Sequence, residues 1–129
     1  MSDLEHLTQL PLIAILRGVT PPEVVPLADA LLQVGFRCLE VPLNSPDAFE
    51  SVARLAEHCG ERALVGAGTV VQPAEVAALR EAGGRLAVSP HFDPELVRAC
   101  REAELVTLPG VLTPSEAFAA LRAGAQGLK

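Results

Sequence analysis

The chain has 129 residues, a formal net charge of −6, and a composition that is 50% hydrophobic yet contains no Trp or Tyr. That length suits one domain with a sizeable core, and the acidic balance with scattered cations excludes a nucleic-acid footprint. No apolar stretch approaches the roughly 20 residues that span a bilayer, and an N-terminus carrying Asp3 and Glu5 without a basic segment does not read as a secretory signal.

Leu12–Leu16 (LIAIL) predicts a first strand. Thr20-Pro21-Pro22-Glu23 then has the form of a capping box, with proline where a helix needs no N–H. Leu27, Ala30, Leu31 and Val34 follow at helical spacing and predict a buried stripe that ends before Gly35. Cys38–Val41 predicts the second strand, and Ser45-Pro46 the cap of a helix running to Gly60. Ala63–Gly68 is the third strand, with a weaker cap at Gln72-Pro73, a one-sided helix through Val76, Leu79 and Arg80, and a stop at Gly83-Gly84. Leu86–Val88 and Asp93-Pro94 open the fourth unit. Leu105–Leu108 and the capping box Thr113-Pro114-Ser115-Glu116 open the fifth, whose helix carries Phe118, Leu121 and Arg122 on one side and stops at Gly124. The final Gly127-Leu128-Lys129 begins a sixth apolar run. Strands alternating with helices define an α/β fold with a parallel sheet, as a barrel or an open sheet. Read as a (β/α)8 TIM-type barrel, which takes about 200 residues or more, the sequence supplies about five and a half βα units, and residues 1–129 form a single, truncated barrel domain.

Reactive residues in such folds gather at the C-terminal ends of strands, where Arg17, Glu40, Thr69 and Lys129 stand. Strand alternation sets Cys38, Glu40 and Pro42 on one face and Leu39 and Val41 on the other. Either Glu40 points into a barrel, where burial would raise its pKa and suit it to carry protons, or it faces water at a frayed strand end. Lys129 is either a solvated end or an amine able to form a Schiff base. Arg17, in phase with Ile13 and Ile15, is either a fork for a substrate carboxylate or a surface cation beside Gly18. Gly66-Ala67-Gly68-Thr69 lacks the third glycine of a dinucleotide fingerprint, and Thr69 can bond a ligand or satisfy a turn. His91, after Ser89-Pro90, has no partner in the sequence, while His6 and His58 read as solvated. Cys38, Cys59 and Cys100 form no CxxC pair and read as reduced thiols in a cytoplasmic protein. Cys38 and Cys100 look like small core residues. No His/Cys spacing suits a metal, so neither metal nor cofactor is expected.

As a set, Pro11–Pro22, Leu39–Asp47, Val65–Val70, Ser89-Pro90 and Ala123–Lys129 resemble, in order along the chain, the class I 2-keto-3-deoxy-6-phosphogluconate and -phosphogalactonate aldolases. The resemblance is nearer to the phosphogalactonate branch, because Asn44 stands where the phosphogluconate enzymes usually carry an arginine. It implies a metal-free homotrimeric (β/α)8 barrel that cleaves a phosphorylated keto-deoxy sugar acid into pyruvate and glyceraldehyde 3-phosphate. In that pattern Lys129 forms the Schiff base, Glu40 is the acid/base, Arg17 and Thr69 hold the pyruvate-end carboxylate, and Pro90 shapes the pocket. The family continues past the lysine into segments that seat the phosphate. The rival readings are an aldolase for the gluconate epimer or for 4-hydroxy-2-oxoglutarate, a non-catalytic fragment of such a barrel, and a binding barrel that uses the pocket without the imine.

Overall fold

A computed structural model describes all 129 residues. A short helix, α1 (Asp3–Gln9), precedes five strands: β1 (Ala14–Ile15), β2 (Cys38–Pro42), β3 (Leu64–Gly68), β4 (Leu86–Ser89) and β5 (Val106–Pro109). Helices α2 (Val24–Gln33), α3 (Ala48–Cys59), α4 (Pro73–Glu81), α5 (Pro94–Glu102) and α6 (Pro114–Arg122) alternate with them. All pairings are parallel and the spatial order is the chain order, β1-β2-β3-β4-β5. Consecutive parallel neighbours joined by helices are the repeating unit of a TIM-type barrel, of which this is an arc.

Every residue of β2, β3, β4 and β5 is buried, as expected of parallel strands covered on both faces. Alternation divides them into two layers. Leu39, Val41, Val65, Ala67 and Ala87 pack outward against the helices. Cys38, Leu64, Leu86, Val88, Val106 and Leu108 form the inner layer, joined by Ile13 and by Leu7 of α1, which plugs the N-terminal end of the arc. The segment Gln126–Lys129 lies along β5 without being a regular strand. The Gln126 N–H donates to Thr107 C=O (3.3 Å), the Lys129 N–H to Pro109 C=O (3.0 Å), and the Val111 N–H to Lys129 C=O (2.9 Å). Lys129 is thereby fixed at the sixth strand position.

The helix starts match the sequence at Asp93, which accepts from Glu95 N–H (2.9 Å), and at Thr113, which forms a full capping box with Glu116. Gln72 is stronger than expected, since Glu75 accepts from both Val71 and Gln72 N–H. Gly35, Gly60, Gly83 and Gly124 all take positive φ at helix ends.

Several expectations are corrected. Ser45 does not cap a helix: α3 begins after a left-handed Asp47, and Ser45 Oγ instead accepts the Gly18 N–H (3.0 Å). Thr20 bonds Glu23 as a capping box would, yet regular helix starts only at Val24, because Pro21–Glu23 form a turn. The stripe on α2 is not the buried one. Val24 and Ala28 face the core and Leu31 packs partly against it, while Leu27, Ala30 and Val34 are exposed. On α6, likewise, Ala120 is buried whereas Phe118 and Leu121 are exposed. Apolar spacing marks a helix face without saying what covers it. Finally, His6 is buried rather than solvated, and His58 pairs with Asp29 at 2.7 Å.

At Gly66, a Cβ would run into the backbone carbonyl of Leu86 on β4. The obstacle is main chain and cannot rotate away. Gly66→Ala should therefore cost upward of about 2 kcal/mol through overpacking, read as a fall in the urea midpoint at unchanged m-value.

Candidate active site

Glu40 sits in the middle of β2, paired in register with Gly66 of β3 and Ile15 of β1. Its neighbours Leu39 and Val41 face the helices, so Glu40 faces the interior and is only 3% exposed. Oε2 has no hydrogen-bond partner. Burial pushes its pKa from the ordinary carboxyl range up to about 7, against the opposing pull of Lys129, Arg17 and the Gly68 backbone. Desolvation wins because an ionised carboxylate loses more on leaving water than nearby cations return.

Lys129 stands at the sixth strand position beside β5, and its charge opposes the rise in the Glu40 pKa. Lys129 lines an open recess of about 390 Å³ together with Pro90, His91, Gly110 and Glu116. Pro90 follows the last residue of β4, and the Ser89 hydroxyl donates to His91 C=O (2.8 Å), which braces that loop.

Arg17 is exposed just past β1, and its Nη1 donates to Asn44 Oδ1 at 2.7 Å. With the Ser45–Gly18 bond this makes two links between the β1–α2 and β2–α3 loops. Thr69 is half-buried directly after β3 in the left-handed region, φ 54°, a costly conformation for a β-branched residue.

The structure thus gathers Glu40, Lys129 and Arg17 into one electrostatic group, places Pro90 in the recess of Lys129, and sets Thr69 beside Gly68, which touches Glu40. Sequence reading missed the Asn44 bond to Arg17 and the Ser45 bond to Gly18, because both partners lie 27 residues away. No group of three or more His, Cys, Asp or Glu side chains could hold a metal ion. The cysteines are buried, and burial raises the Cys38 thiol to about 11. No helix is long and apolar enough to cross a membrane.

A parallel βα arc of barrel type, with an acid and two cations at its strand ends, is the class of fold and site seen here. A family model described as KDPG and KHG aldolase matches residues 4–129, and the chain belongs to that family. It is 49% identical over 119 residues to the probable 2-dehydro-3-deoxy-6-phosphogalactonate aldolase of Rhizobium meliloti (strain 1021), covering 92% of this chain and 56% of the relative. It is 45% identical over 122 residues to the 2-dehydro-3-deoxy-6-phosphogalactonate aldolase of Escherichia coli (strain K12), covering 95% and 60%. A solved structure described as native KDPGal superposes with a TM-score of 0.91 at 45% identity, covering 94% of this chain and 59% of that one. The chain spans somewhat over half the length of the curated relatives it matches.

Glu40 also ties stability to pH. Its pKa is raised on folding, so the folded state holds the proton more tightly than the unfolded one between the ordinary value of 4.5 and about 7. Its contribution is complete below that window and is lost as pH rises through it. Relative to Glu40→Gln, the native protein should lose on the order of 2–3 kcal/mol between pH 4.5 and pH 7.5, measured by denaturant titration of both proteins across that range.

Proposed function

We propose that this chain carries the reacting groups of a class I aldolase that reversibly cleaves 2-dehydro-3-deoxy-6-phosphogalactonate to pyruvate and glyceraldehyde 3-phosphate. The observation that supports it most is a buried, protonatable Glu40 whose raised pKa is opposed by the charges of Lys129 and Arg17. A carboxyl group that exchanges its proton near neutrality beside an amine is what imine chemistry requires.

In the proposed reaction the neutral Lys129 amine adds to the substrate C2 carbonyl, and the carbinolamine loses water to give an iminium ion. Glu40 supplies the proton for that dehydration. It then accepts the proton of the C4 hydroxyl as the C3–C4 bond breaks, and the bonding electrons flow into the iminium to leave an enamine. Glyceraldehyde 3-phosphate departs, Glu40 returns a proton to C3, and hydrolysis frees pyruvate and the lysine. Arg17, steadied by Asn44, holds the carboxylate together with Thr69, and Pro90 shapes the wall on the Lys129 side. On this reading the enzyme works as a cytoplasmic homotrimer on a small phosphorylated acid, with neither nucleic acid nor membrane as partner.

The galactonate epimer is preferred because the relatives at 49% and 45% identity both bear its name. The gluconate epimer and 4-hydroxy-2-oxoglutarate are the second reading, since the family description covers them. Cleavage rates for the two C4-epimeric phosphorylated acids decide between them, with the galactonate form expected to be at least about 10-fold faster by kcat/KM, or ~1.4 kcal/mol. Equal rates would remove the preference.

The imine is tested by incubating the protein with pyruvate and borohydride and mapping the adduct by mass spectrometry. A reduced adduct on Lys129 is expected, none in Lys129→Ala, and a need for roughly 10- to 100-fold more pyruvate in Arg17→Ala, because loss of a charge-assisted fork costs about 1.5–3 kcal/mol. An adduct elsewhere would refute the role given to Lys129.

A further inference from the structure

The carboxyl group of Glu40 fills the space that a side chain at position 68 would need. A Cβ built on Gly68 would have Oε2, Oε1 and Cδ of Glu40 as its three nearest neighbours, all in hard overlap. The obstacle therefore differs in kind from the one at Gly66, where main chain blocks the way. At Gly68 the blocking group is one side chain from the next strand. Backbone conformation does not call for glycine here either, since Gly68 is not among the positive-φ residues. What glycine supplies at this position is room.

Glu40 needs that room. The carboxyl group is buried with Oε2 unpartnered, so no hydrogen bond holds that oxygen. Its seat is set by the bare Cα of Gly68 on one side, together with a hydrogen bond from the Gly68 backbone to the carboxyl group. Register accounts for the match. Glu40 faces inward opposite Gly66, so the next inward residue along β3 is Gly68, one step toward the strand ends where a long side chain reaches.

We propose that Gly68 is a positioning residue, whose missing side chain seats the Glu40 carboxyl in the dry interior within the influence of Lys129 and Arg17. Its consequence for catalysis rests on the aldolase reading above, whereas the seat itself is a property of the fold. Any side chain at position 68 would drive the carboxyl toward the open strand ends and water. The proton carrier would then become an ordinary surface carboxylate.

The test is a double-mutant cycle between Gly68→Ala and Glu40→Ala, read by thermal melting. Gly68→Ala alone is expected to lower the melting midpoint modestly, by about 2–4 °C, because the obstacle is the end of a flexible side chain that must leave its seat. In the Glu40→Ala background the same change is expected to be neutral or slightly stabilising, because the obstacle is gone and alanine restricts the unfolded chain. An equal loss in both backgrounds would overturn the proposal. If Gly68→Ala alone does not fold, a folded double variant supports the seat, and an unfolded one overturns it.

A merely structural glycine would leave the titration of Glu40 in place, so the second readout is the pH dependence of its side-chain carboxyl carbon by NMR. In Gly68→Ala the midpoint is expected to fall from about 7 toward the ordinary carboxyl range. An unchanged midpoint in a folded Gly68→Ala protein would also overturn the proposal. Neither measurement needs substrate, so failure here is separable from failure of the aldolase reading.

Discussion

Burying a carboxyl group without a full set of partners is the constraint on which the rest of this structure turns. Water stabilises an ionised carboxylate so strongly that a protein interior replaces it only with good geometry and several hydrogen bonds. Glu40 has an unpartnered Oε2, and the two cations that act on it leave its pKa near 7. The molecule meets the cost by letting the group keep its proton. A residue that would be a permanent anion on the surface is thus turned into one whose charge is undecided at neutral pH. Lys129 and Arg17 gain their interest from this neighbour.

The scaffold that maintains this state is economical. Sequential parallel pairing fixes which residues stand side by side, and the pleat decides which face inward. Two glycines on β3 lie on the inward side next to Glu40, one admitting the β4 backbone and the other admitting the carboxyl itself. The loops after β1 and β2 are tied twice, by Arg17 to Asn44 and by Gly18 to Ser45, so the position of the arginine follows the strand that carries Glu40.

Much of this was legible in the sequence because it is local. Proline with Asp93 or Thr113 at helix starts, glycine at helix ends and period-two alternation around Glu40 all act over a few residues, and the corresponding elements stand where those signals put them. The failures share one cause. Ser45 looked like a cap because Pro46 follows it, but its partner is Gly18. The apolar spacing on α2 predicts a buried stripe, and that on α6 a one-sided helix, but spacing does not say which side of a helix the sheet covers. His6 looked solvated among polar neighbours in sequence, while in the fold it is buried near Arg85, Asp3 and Glu61. The influence of Lys129 on Glu40 lay beyond periodicity for the same reason, because the two residues are far apart in the chain.

His6 gives the arc a second buried titratable group, at the opposite end from Glu40 and with the opposite preference. Both of its ring nitrogens are unpartnered. Burial lowers its pKa, with Arg85 and the N-terminus adding to the effect and Asp3 and Glu61 opposing it. A histidine depressed in this way favours the fold above its unfolded pKa and withdraws that support as acid is added. Glu40 does the reverse, favouring the fold in acid and withdrawing support toward neutrality. The two buried groups therefore bend the pH dependence of stability in opposite directions, one taking up a proton on folding and the other giving one away.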